Sequence, residues 1–167
     1  MIKPLFQKIV VAVNGSEQSL RAAMYGIMMA KMFKCELKAV YVVDTDTLRQ
    51  LELSKFFITE EVSRYRANLK SDGERYLSYL KRLADEKSVK ISVELKEGAV
   101  WSELIKSAEE FDADLIVLGG KTNGANSMSS VLRRDKVSAA NSEIIGSSKC
   151  NVLVVKDADV EKLFKLL

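Results

Sequence analysis

Asp114-Leu-Ile-Val-Leu-Gly119 is a short apolar run that meets a glycine pair at once, Gly119-Gly120. A polar stretch follows, Lys121-Thr-Asn-Gly124-Ala-Asn-Ser127, then a helical segment, then a second apolar run, Val152-Leu-Val-Val155. In order these read as strand, turn, loop, helix and strand, half of a parallel α/β sheet. Short β-branched runs bounded by turn residues are the pattern of strands buried on both faces. In open sheets of this kind ligands bind outside the carboxyl ends of the strands, where the strand order reverses. The residues after Gly119 are therefore the first place to look for function.

Working outward, the same pattern recurs upstream. Lys8-Ile-Val-Val-Ala-Val13 reads as the first strand, closed by the turn residues Asn14-Gly-Ser16. Ser16 and Ser19 are N-cap candidates for a helix over Glu17 to Phe33, where Leu20, Ala23, Met24, Ile27 and Ala30 share a face. The methionines 24, 28, 29 and 32 of that helix read as core packing. Glu36 to Asp44 is the second strand, centred on Ala39-Val-Tyr-Val-Val43; Thr45 to Phe57 reads as a loop with a helical turn. A long helix is expected over Thr59 to Lys87, with Val62, Tyr65, Leu69, Tyr76, Leu80 and Leu83 as its apolar stripe. Lys90 to Lys96 alternates apolar and polar residues, as a half-exposed edge strand does. After Gly98, Trp101, Leu104, Ile105 and Ala108 recur at helical spacing, with Trp101 as a packing anchor. At the end Val160, Leu163, Phe164 and Leu167 mark a short amphipathic helix over about 158–167.

Strands alternating with helices imply an α/β fold: an open parallel sheet with helices on both faces, plus a C-terminal amphipathic helix. The length of 167 residues suits a single domain. Composition narrows the function. The chain is 47% hydrophobic and 29% charged, with a net charge of +3, too balanced to imply nucleic acid. It has no histidine, which removes the commonest general base and metal ligand together. Cys35 and Cys150 lack metal or redox spacing and read as small apolar side chains in a reducing compartment. The N-terminal residues resemble neither a signal peptide nor a membrane span, so a cytoplasmic location is expected, with no membrane partner.

Three stretches together resemble the universal stress protein family: Ile9-Val-Val-Ala-Val-Asn14-Gly-Ser-Glu-Gln-Ser19, Ala39-Val-Tyr-Val-Val-Asp44, and Ala113-Asp-Leu-Ile-Val-Leu-Gly119 with Cys150-Asn-Val-Leu-Val-Val155. The resemblance covers about residues 5–156 and implies a five-stranded sheet of order 3-2-1-4-5. It also implies a homodimer, through the last strand (Val152, Leu153, Val154 and Val155) or through the C-terminal helix. Many members of that family bind ATP or AMP, ATP with magnesium, through a motif resembling G-x-x-G, a nine-residue spacer, then G-S or G-T. Glycines let backbone N–H groups close on the phosphates, and a helix start favours anions.

Here the motif is partly matched. Gly119 fits the first glycine; Thr122 stands at the second, with Gly124 two residues late. Ser138-Ala139 aligns with the closing pair, after a spacer about six residues too long, and Asn14 stands where the family has aspartate. By the resemblance, Val42 would read the adenine edge with Val13 and Asn14 nearby, while Gly119, Lys121, Thr122, Gly124, Ser138 and Ala139 would surround the phosphates. Lys121, Arg133, Arg134 and Lys136 are the basic residues of the loop region, and Asp135 its one carboxylate, so no catalytic residue and no metal site is named. At most a slow ATPase is implied. Two functions remain: a regulatory protein that binds an adenine nucleotide, or a dimeric interaction protein with a vestigial pocket and an unknown regulatory partner. Gly119→Val is expected to abolish binding and leave the fold intact.

Overall fold

The computed structural model describes residues 2–54, 58–120 and 136–167, with only the backbone given for 136–138. The elements run β1 (Lys8–Val13), α1 (Glu17–Phe33), β2 (Glu36–Asp44), α2 (Thr45–Leu53), α3 (Thr59–Glu86) and β3 (Ile91–Gly98). Then come α4 (Val100–Glu110), β4 (Leu115–Gly119), α5 (Lys136–Ser147), β5 (Asn151–Val155) and α6 (Val160–Leu166). The strands form one five-stranded sheet of order β3-β2-β1-β4-β5, and every pairing is parallel. Strand order thus reverses between β1 and β4, which pair through Ile9 with Leu115 and Val11 with Val117.

Both faces of the sheet are covered. Ile9, Val11 and Val13 pack with α1, α3 and α6, while Val10, Val40, Val42, Ile116 and Leu118 pack with Leu104 of α4 and Ile144 of α5. This two-sided burial is why β1 and β4 read as continuous apolar runs rather than alternating ones. β3 does alternate, because it is an edge strand. Glu94 of β3 nevertheless points to a part-buried polar cluster: it accepts from Ser107 of α4 and pairs with Lys38 (3.4 Å) and Lys96 (3.2 Å). Burial pushes the Glu94 carboxyl up, but hydrogen bonds from Ser107 and Lys96 and the charges of Lys38 and Lys96 outweigh it. The group is held below its ordinary value.

Three local expectations are corrected. The stretch after β2 is not a loop with one turn: α2 begins at Thr45 and runs nine residues. Asp44 supplies its N-cap, accepting from the Thr47 N–H (3.0 Å) and hydroxyl (2.6 Å). Tyr65 does not belong to a buried stripe of α3. It is 55% exposed, no residue of α3 before Gly73 is buried, and Leu77 and Ala84 join Leu80 as its core contacts. α3 also packs on α2, and its first half is tied to β3 by Arg66 on Glu97 at 2.8 Å. Finally, the cysteines are half-buried rather than core residues. Cys35 donates to the Phe6 carbonyl, and burial, then the Asp114 charge, push its thiol up, away from nucleophilic behaviour. α6 packs on α1 through Val160 and Phe164.

Candidate functional site: a crevice at the strand-order reversal

The chain turns sharply after β1. Gly15 adopts φ 81°, a conformation that disfavours side chains, with open space where a Cβ would stand. Asn14 accepts from the Ser16 N–H through Oδ1 at 3.0 Å, and its own N–H donates to Ser19 Oγ at 3.2 Å. Ser16 then caps α1, accepting from the Ser19 N–H at 3.2 Å. Asn14 therefore serves the turn through the oxygen that an aspartate would also offer.

Across the reversal, the end of β4 approaches the first turn of α1. A Cβ built on Gly119 would lie 2.9 Å from the Ser19 nitrogen and closer still to the Gln18 carbonyl oxygen. Real Cβ atoms do not come so near backbone, so the packing of β4 on α1 itself requires glycine at 119. The expectation that Gly119→Val leaves the fold intact is overturned by this contact. The Gly119 carbonyl accepts from Asn141 Nδ2 of α5 at 3.0 Å, which ties α5 to the end of β4. Gly120 in turn donates to the Val155 carbonyl at 2.8 Å and holds β4 against β5.

Between these ends lies a crevice of about 600 Å³. Ligand sites commonly span about 300–1,000 Å³, so it is large enough for a nucleotide. Of the residues the sequence singled out, Val13, Asn14, Val42, Gly119 and Ala139 all line it. Ser138 lies on α5 by its backbone, and Lys121, Thr122 and Gly124 lie outside the described residues, as do Arg133, Arg134 and Asp135. The floor is apolar, with Val40, Val42, Leu104, Leu118 and Ile144.

Sequence reasoning missed the other wall. Asp44, Asp46, Thr47 and Gln50 face the crevice from β2 and α2, Trp101 from α4, and Asn141 and Glu143 from α5. The Asp44-Thr-Asp-Thr47 capping pattern was the available signal for α2. No periodicity brings α2, α4 and α5 to one opening. The lining holds three carboxylates, and no lysine or arginine among the described residues. No helix of the described residues is long and apolar enough to cross a membrane.

Comparison with known proteins agrees with this architecture. The model of the universal stress protein family matches residues 5–156. A universal stress protein of Methanocaldococcus jannaschii is 37% identical over 154 residues, covering 91% of this chain and 83% of that one. A universal stress family protein from Burkholderia pseudomallei has the same fold, with TM-score 0.69 at 21% identity, covering 93% and 100% of the two chains. The universal stress protein from Archaeoglobus fulgidus solved in complex with dAMP also shares it: TM-score 0.57, 17% identity, 91% and 99% covered. A family match over nearly the whole chain, in the strand order its fold requires, places this protein in the universal stress protein family.

Proposed function

We propose that this protein is a cytoplasmic regulatory member of its family that binds an adenine nucleotide in the crevice between β1, β2 and β4. The observation that carries the reading is the crevice itself. Among the described residues it is open, large enough for a mononucleotide, and sited at the strand-order reversal, where α/β sheets take ligands. Its apolar floor suits a base, and the end of β4 at Gly119 is where phosphates would extend. The dAMP held by the Archaeoglobus fulgidus relative supports a monophosphate of this class. ATP with magnesium is the larger ligand to compare with it.

The test is direct. The protein is purified without added nucleotide and denatured, and the supernatant is chromatographed for adenine absorbance. Melting is then followed while AMP and ATP are titrated. A ligand at a hundred times its dissociation constant adds about 2.7 kcal/mol of stability, a shift of several degrees in a chain of this size. No carried-over adenine and no shift at millimolar nucleotide would sink the reading.

A second reading concerns assembly. β5 is the last strand of the sheet, and its Val152, Leu153 and Val154 are only half-buried. An unpaired edge of this kind is a template for another strand. We propose that two copies pair through β5, the arrangement an interaction protein with an empty crevice would also use. Sedimentation at micromolar concentration should show a dimer; a clean monomer rules it out.

A further inference from the structure

We infer that Trp101 is the residue on which the base of the ligand stacks, so that the protein's one tryptophan reports binding directly. The inference rests on the nucleotide reading above. Trp101 sits in the first turn of α4, lines the crevice, and is 40% exposed. A buried anchor would be covered by its neighbours, and Trp101 is not. Leu104, one turn later, is 1% exposed and with Ala108 supplies the packing of α4 on the sheet. Among the described residues Trp101 makes no ring contact and no hydrogen bond. Among the described residues the ring–ring contacts are Phe6 with Phe33 and the series Tyr41, Tyr76, Tyr79, of which Tyr41 lines the crevice with its ring already engaged by Tyr76. A large aromatic surface is thus left open at the edge of an apolar hollow.

The charge of the hollow says which part of a ligand belongs beside it. Glu143 lines the crevice from α5, and Asp44 and Asp46 line it on the flank of α2, where no described lysine or arginine joins the lining. Phosphates would be repelled there, whereas an uncharged base and its sugar would not. The ligand therefore lies with its base toward α2 and α4 and its phosphates toward the end of β4 at Gly119. Every base presents a π-face to an indole, so the stacking contributes affinity with little choice among bases.

The experiment runs two readouts on the same samples. Equilibrium dialysis measures binding of AMP independently of tryptophan, and emission of Trp101 is recorded alongside, with ribose 5-phosphate as the base-less probe. AMP should quench the emission with the midpoint that dialysis gives, and ribose 5-phosphate should not. Trp101→Leu should weaken AMP roughly tenfold or more, the lower part of the range for losing one stacked base. Trp101→Phe should recover most of that loss, and the melting temperature of neither variant should fall. If AMP binds by dialysis while emission and the Trp101→Leu affinity stay unchanged, the stacking role is wrong and the nucleotide reading stands. If no nucleotide binds by dialysis, both fall together.

Discussion

The two flanks of the crevice are built by different means. Where β1 and β4 part, backbone meets backbone: Gly119 lies against Gln18 and Ser19, Gly120 bonds Val155, and Asn14 closes its own turn. On the flank of α2 and α4, side chains stand open: Asp46 and Gln50 are exposed, and Trp101 is half so. The difference separates two reasons for a residue. Gly119 matches a phosphate-binding motif, yet the fold demands a glycine there before any ligand arrives. Its presence argues for the architecture, and the crevice and its open side chains argue for the ligand. Side chains on the second flank can be changed without disturbing the sheet, whereas at Gly119 on the first they cannot.

The largest expected effect tests that division at its hardest point. Gly119→Ala places a Cβ against the backbone of α1 and should cost about 3 kcal/mol, the upper range for overpacking, measured by urea unfolding. A loss below about 1 kcal/mol would mean that β4 and α1 are not in such contact, and the comparison would collapse. Next comes the cap that starts the open flank. Asp44→Ala removes both bonds to Thr47 and should cost about 1 kcal/mol, with fraying of α2 visible as faster amide exchange over 45–53. Unchanged exchange there would show that packing alone holds α2.

A smaller effect concerns acid. The Glu94 carboxyl is held below its ordinary value of 4.5, so it binds fewer protons folded than unfolded. Its contribution is present above the ordinary carboxylate range and lost as pH falls through the folded value. Glu94→Gln should flatten the acid limb of the stability–pH curve, by up to about 1 kcal/mol, since the cluster is partly solvated. An acid limb identical to that of the parent protein would remove Glu94 from the account. The smallest effect is Asp46→Asn, on the open flank. Its stability should stay within about 0.5 kcal/mol of the parent, as surface changes usually do. A loss like that of Gly119→Ala would erase the distinction between the flanks.

Much of the sheet was legible because its signals are local. The runs Lys8–Val13 and Leu115–Gly119 announce buried strands by their β-branched content, and β3 announces an edge by its alternation. The errors fell where tertiary packing overrides a local pattern. Tyr65 sits at a helical repeat that would be apolar in a buried helix, but no residue in the first half of α3 is buried. Trp101 follows the spacing of Leu104 and Ala108, yet it stands at the rim of a hollow. α2 reads as a loop with a helical turn because it is short and polar, with Leu48 its one buried residue, and it owes its start to the Asp44 cap.

From residue order alone came the alternation of strands and helices, the turn at Asn14-Gly15-Ser16, and the resemblance that pointed to the end of β4. Periodicity and turn chemistry act between near neighbours, so they can be read along the chain. Only the tertiary structure decided why position 119 is glycine and that Asn14, Asp46, Trp101 and Asn141 share one crevice. Those residues are separated along the chain by whole strands and helices. They meet because parallel strands bring every carboxyl end to the same side of the sheet, a consequence of topology that no local pattern carries.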